Sequence, residues 1–303
     1  MLKYAAKRIL LAVVTIFVIM VVTFFAMNAI PGGPFAKEKA PEPAVRAALE
    51  KRFHLDRPLV EQFFLYTGNV LQGNFGISTK PGREISTTIF ESFSISARLG
   101  GISVLVALSF GLVLGSIAAL TRNKLPDQLI VFFTTLAAGV PSFVLGTLML
   151  LVFSLMLKWF PVWSATNQNY VLPVIALSLY PMAHVTRLTK TSMLDVLGQD
   201  YIRTARAKGV RPSLVIFKHA LRNALIPVIT YIGPLTAYAL TGSMVVEHIF
   251  SIGGLGSKFI TGIDNRDYPM IMGTTIFLAS LMVLLTLISD LLYSAVDPRI
   301  SFD

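Results

Sequence analysis

Apolar residues fall into six long runs, separated by polar stretches of very unequal length: Ile9 to Ile30, Ser94 to Leu120, Ile130 to Leu157, Val171 to Thr191, Ala224 to Val246 and Tyr268 to Val296. Each is near or above the ~20 residues that a membrane-spanning helix requires. The pattern predicts an all-α membrane protein with six transmembrane helices, and an even number of crossings puts both termini on one side. The first run is longer than the core of a signal peptide, so no cleavable leader is expected.

Two polar stretches carry structure of their own. Within Pro31 to Phe93, Glu42 to Lys51 reads as helix, His54 to Pro58 as a turn, and Leu59 to Leu71 as an amphipathic helix offering Phe63, Phe64, Tyr66 and Val70 for burial; GNFGIS at 73–78 breaks the pattern. The second stretch, Arg187 to Pro227, reads as two short helices parted at Gly209-Val210-Arg211-Pro212. Asp200 is an expected N-cap, Lys208 suits the negative end of the helix dipole, and Gly209 fits a C-terminal position of positive φ. Pro212 then opens the next helix, where its missing N–H costs nothing. Helical spacing puts Leu214, Phe217, Leu221 and Leu225 on one face, with Arg211, Lys218 and Arg222 elsewhere.

Charge sets the orientation. The chain of 303 residues is 54% hydrophobic and 14% charged, with a formal net charge of +10. Its cations gather at the ends of apolar runs, which argues against nucleic acid as a partner and for membrane lipid. Lys3, Lys7 and Arg8 precede the first run, Arg122 and Lys124 follow the second, and eight Lys or Arg lie between Arg187 and Arg222. By the positive-inside rule these segments and both termini are cytoplasmic, while 31–93, the loop at Lys158 and His248 to Asp267 are external. Cysteine is absent, and His54, His184, His219 and His248 are scattered, so no metal site or thiol chemistry is expected. His184 and Arg187 are expected to be solvated near a helix end, Glu247 to be interfacial, and Asp290, inside an apolar run, to have a structural partner. Gly100, Gly101, Gly111, Gly115, Ser116, Gly139 and Gly146 mark places where helices approach closely; Pro141, Pro173, Pro181, Pro227 and Pro234 mark kinks or helix starts. The run Gly253-Gly254-Leu255-Gly256 lacks the Gly-Lys-Ser/Thr ending of a phosphate-binding loop.

RTARAKG at 203–209 with HALRNALIP at 219–227, EHIFSIGGLG at 247–256 with NRDYP at 265–269, and the terminal DPRI at 297–300 together resemble the permease subunits of ATP-binding-cassette importers for dipeptides and oligopeptides, in particular the first oligopeptide permease subunit. In the wider importer class the loop begins Glu-Ala-Ala and ends Leu-Pro. Here Arg203 and Thr204 replace the Glu and first Ala, and Arg222 follows Leu221 where Pro is expected; both departures are typical of the peptide subfamily and remove any salt bridge of that Glu. The resemblance implies a type I importer permease fold. Its divisions would be an N-terminal helix at 1–30, an external helical insertion at 31–93, a five-helix core at 94–297 with a coupling loop at 187–224, and a cytoplasmic tail at 298–303. It further implies that Asp200, Arg203, Thr204, Ala205, Ala207, Lys208, Gly209, Val210, Pro212 and Leu214 couple to ATPases. Glu247, Gly253, Gly254, Gly256 and Asp267 would form a hooked external loop that meets a receptor or substrate. The implied partners are a second homologous permease subunit, two cytoplasmic ATP-binding subunits that hold the ATP and Mg, and an external peptide-binding protein; this chain itself holds no cofactor and is not an enzyme. An importer of dipeptides, glutathione, nickel or short sugars would look alike. A self-sufficient secondary transporter or channel is the alternative of a different class.

Overall fold

The computed structural model describes residues 2–31, 33, 51, 55–80, 82–240 and 244–296. In order, the helices are α1 (Leu2–Asn28), α2 (Leu59–Leu71), α3 (Ile85–Leu120), α4 (Leu125–Gly139), α5 (Ser142–Met149) running on as the π-helix π1 (Leu150–Met156), and α6 (Val171–Leu197). Then come α7 (Asp200–Ala207), α8 (Pro212–Leu214), π2 (Val215–Leu221), α9 (Arg222–Ala224), α10 (Ile226–Leu240), α11 (Met244–Ile249), α12 (Leu255–Asn265) and α13 (Tyr268–Val296). Among the described residues five stretches, Lys7–Asn28, Ile85–Leu120, Val171–Leu197, Ile226–Ile249 and Tyr268–Ser289, are single helices long and apolar enough to cross a bilayer.

The third expected span is not a single helix. α4 starts at Leu125, with Pro126 in its first turn, and stops at Gly139; Val140 is extended (φ −94°, ψ 125°), Pro141 is the N-cap of α5, and α5 with π1 runs at 97° to α4. The cause is local, because the residue before a proline is driven out of the α region and the proline has no N–H with which to continue the ladder. The second span begins earlier than its apolar run. At 36 residues α3 is about 54 Å long against a hydrocarbon layer of ~30 Å, and its first part, Ile85–Ser96, is rich in Ser and Thr. α6 likewise continues past Thr191 to Leu197 with Pro181 inside it.

The chain divides into two compact units, residues 1–96 with 253–283 and residues 97–252 with 284–303. In the first, α2 covers the expected residues 59–71. Phe63 is buried against Phe24 (ring centroids 5.4 Å apart) in a core with Met20, Met27, Ile271 and Met272. Tyr66 and Val70 pack on that core, but Phe64 is 64% exposed, because it lies about 100° round the helix from Phe63. Residues 42–50 of the helix expected at 42–51 and the motif 297–300 lie outside the described residues, as does the side chain of Asp290; Lys51 is helical.

In the second unit, glycines set how closely helices pack. A Cβ on Gly100 would stand 2.4 Å from the Ala239 carbonyl oxygen, one on Gly111 2.7 Å from Val185 Cβ, and one on Gly115 2.6 Å from the Thr186 carbonyl oxygen. Gly101 and Gly139 have open space instead. Gly100→Val is therefore expected to destabilise by about 1–3 kcal/mol or more, since a backbone carbonyl cannot yield as a side chain does, while Gly101→Val stays near wild type. Thermal midpoints of the two purified variants check the contrast.

Candidate functional site

The segment from Asp200 to Ala224 forms an elbow whose sharp point is fixed by backbone chemistry. α7 ends with Gly209 at φ +74°, its N–H donating to the Arg206 carbonyl (3.0 Å) while the Val210 N–H donates to the Ala205 carbonyl (3.2 Å). This is the paired ending that a left-handed residue after a helix allows, and glycine occupies it without Cβ strain. Val210 and Ala205 both pack on the cluster beneath. Pro212 then opens α8 with Arg211 as its N-cap. Asp200, expected as an N-cap, is instead the first residue of α7; Gln199 precedes it as cap, and the Asp200 carboxylate sits in the first turn, where the dipole favours it. Lys208 is the C-cap residue. Across the elbow, Asn223 Nδ2 donates to Tyr201 Oη (3.1 Å) and to the His219 carbonyl (2.8 Å), a tie that spacing gave no hint of.

The expected apolar face of the second limb is corrected by the structure. Val215, Ala220 and Ala224 are buried with Ile202, Met193 and Ala119; of the expected face, Leu221 and Leu225 are half-buried and pack on apolar clusters, whereas Leu214 and Phe217 are 47% and 69% exposed. The step of five from Val215 to Ala220 fits the wider turn of π2, which rotates the buried stripe away from the face that a 3.6-residue period assigns. Leu214 and Phe217 thus stand on the outside with exposed Arg203, Thr204, Arg206, Ala207, Lys208, Arg211 and Lys218. An apolar pair within a basic surface is what a partner with an apolar groove and acidic rim would fit. The Arg203–Asp200 pair, 3.4 Å apart and exposed, adds little stability.

The expected external residues fall in α11, at and just before the start of α12, and just before α13. Glu247 is fully buried rather than interfacial, with its carbonyl accepting from Ile252 N–H (2.8 Å). Gly254 is the N-cap of α12, Gly256 is buried in its first turn, and Gly253 is half-buried just before it. The Leu255 N–H donates to Ser96 Oγ (2.8 Å). Asp267 is buried, 3% exposed, and caps α13: its carboxylate accepts from the Ser78 hydroxyl, from Thr79 N–H (3.2 Å) and from Met270 N–H (3.4 Å). Gly253, Gly254, Gly256 and Asp267 therefore shape the loop, and Asp267 pins residues 78–79 to the head of the last helix.

Sequence reading missed the ion pair that ties α4 to α6. Lys190 Nζ of α6 lies 2.5 Å from Asp127 Oδ1 of α4, and Asp127 Oδ2 accepts from the Asn123 N–H (3.0 Å). His184, expected to be solvated, stacks on Tyr231 with ring centroids 4.4 Å apart.

Solved structures share the fold. A chain of the MetNI methionine ABC transporter in inward-facing form matches with a TM-score of 0.58 at 16% identity, over 69% of this chain and 96% of that one. An amino acid ABC transporter matches with 0.53 at 16% identity, over 71% and 95%. The fold is that of ABC transporter permeases, helical throughout its regular elements among the described residues, with several helices long and apolar enough to cross a membrane. Residues 111–302 match the family described as binding-protein-dependent transport system inner membrane component, and residues 1–97 match its N-terminal counterpart. The chain belongs to that family. It is 44% identical over 302 residues to the dipeptide transport system permease protein DppB of Bacillus subtilis, covering 99% of this chain and 98% of that protein. It is 40% identical to the oligopeptide transport system permease protein OppB of Haemophilus influenzae, with 100% of both covered.

Proposed function

We propose that this chain is the transmembrane permease subunit of an ATP-driven peptide importer in a bacterial cytoplasmic membrane. It forms the translocation path with a second homologous permease subunit, is driven by two cytoplasmic ATP-binding subunits that hold ATP and Mg, and receives peptide from an external peptide-binding protein. The observation that carries this reading is the elbow at Gly209, a stiff and exposed joint on a chain similar along its whole length to permeases named for dipeptide and oligopeptide transport.

The elbow, both termini and residues 187–224 face the cytoplasm in this reading, as their positive charge favours, and residues 31–93 face outward as a cap that helps receive the binding protein. Closure of the ATPases pushes on Leu214, Phe217 and the basic residues around them. The paired hydrogen bonds at Gly209 and the Tyr201–Asn223 tie keep the two limbs from folding on each other, so displacement passes through Ile202 and Val215 to Met193 of α6 and Ala119 of α3. A bundle with two packings then exchanges outward-open for inward-open.

Gly209→Pro tests the lever. Proline holds φ near −65°, far from +74°, so the joint must rearrange at a cost above about 1 kcal/mol. In the reconstituted complex, peptide-stimulated ATPase activity and uptake are expected to fall together while subunit stoichiometry is kept. Normal uptake by this variant, or peptide transport by the purified chain alone, defeats the reading. Competition between dipeptides and longer peptides in the same assay separates the two cargo lengths that the relatives' names carry.

A further inference from the structure

Of the five stretches long and apolar enough to cross a bilayer, Val171–Leu197 and Ile226–Ile249 are the least apolar, and their polar side chains meet. His184 is the middle residue of α6, about 20 Å from either end, and its ring stacks on Tyr231 of α10. Tyr180 and Arg187 lie one turn to either side of His184 on the same face of α6, and Tyr238 lies two turns along α10 from Tyr231. Tyr180 and Tyr238 are within electrostatic reach of Tyr231, as Arg187 is of His184. Tyr180 and Tyr238 are each 49% exposed, Arg187 is exposed, and His184 and Tyr231 are half-buried.

The adjoining face of both helices is buried through Val185, Val228 and Leu235, which fixes the direction of the polar one. Lys190, one turn beyond Arg187, has Asp127 as its counter-ion, whereas no carboxylate pairs with Arg187 among the described residues. Such a face does not suit acyl chains. Along α3 the large exposed side chains are Leu105, Phe110, Val113 and Ile117, as lipid favours; ionisable groups within a span turn instead to protein or to water. Tyrosine carries a flat apolar body and a terminal hydroxyl at little entropic cost, and so binds an extended chain with little regard to its sequence. A guanidinium holds a carboxylate by two parallel N–H bonds.

We propose that this face of α6 and α10 lines the translocation path and touches the peptide in transit, with Tyr180, Tyr231 and Tyr238 along its backbone and side chains and Arg187 on its C-terminal carboxylate. The inference rests on the peptide-import reading and gives that path its residues.

The chain has no cysteine, so single cysteines report on their own positions. In the assembled transporter in lipid nanodiscs, Tyr180→Cys, Arg187→Cys and Tyr238→Cys are expected to react with a charged, membrane-impermeant methanethiosulfonate at least about tenfold faster than Leu105→Cys, because the reactive thiolate forms in water and not in lipid. The mass of this chain reads the labelling, and excess trialanine is expected to slow it about threefold or more by filling the path. Arg187→Gln is expected to lower ATP-driven uptake of trialanine about tenfold, and Arg187→Lys about threefold or less, since lysine keeps the charge but not the two-pronged contact. Labelling as slow as at Leu105→Cys, which a cover of lipid or of the second permease subunit would give, overturns the proposal, and so does unchanged uptake by Arg187→Gln. Wild-type uptake of trialanine separates the two readings: its absence defeats peptide import itself, while its presence with slow labelling defeats this face alone.

Discussion

A chain with Asp at both Leu214 and Phe217 is expected to insert, fold and pair as wild type does, yet to lose ATP-driven uptake. Both side chains are exposed, 47% and 69%, and neither belongs to the cluster of Ile202, Val215 and Ala220 that holds the elbow together. Replacing them therefore removes no core contact. What the proposed docking surface would lose is its apolar part; truncating an aromatic anchor typically costs ~2 kcal/mol or more, and a carboxylate adds the expense of its own desolvation. The ATP-binding subunits should bind at least ~30-fold more weakly, seen as their loss from the complex in pull-down and as uptake near background. Val215→Asp is the contrasting change: it buries a charge among Met193, Ile202 and Ala220 and should cost the fold itself. If the double variant transports normally, the exposed face of the second limb is not where force enters.

The second large effect is expected at Asp127. Asp127→Ala strands Lys190 and removes the acceptor for the Asn123 N–H, whose residue turns in the left-handed region at φ 63°. Breaking one side of a fully buried pair costs ~3–5 kcal/mol; the Lys190 side chain keeps 23% of its surface, so about 2–3 kcal/mol is the better figure here. A lower thermal midpoint of the assembled complex should report it. Lys190→Met in the same chain should restore more than half of the loss, because an uncompensated ammonium, not the absent attraction, dominates the penalty. A double variant as unstable as Asp127→Ala alone would place the cost in the Asn123 turn instead.

Much of the elbow was legible in the chain because its signals are local. Gly209 and Pro212 each act through their own backbone, one by admitting positive φ and the other by fixing its own, and the structure has both where expected. The residues 59–71 form a helix for a similar reason, a turn before and a glycine pair after. Pro141 was marked as a kink or a helix start, but neither the 97° bend nor its separation of α4 from α5 was implied by an apolar run that continues through it. Hydropathy registers composition and not direction.

What the sequence by itself determined is the place of the apolar runs and the break at Gly209 and Pro212, since these follow from solvation and from sterics within a few residues. The tertiary structure alone decided which side chains of π2 turn inward, that Asp267 reaches Ser78 and Thr79, and that Lys190 meets Asp127. Those depend on neighbours far away in the chain, and on a helical period that widens only where packing makes it favourable; no pattern of adjacent residues encodes either.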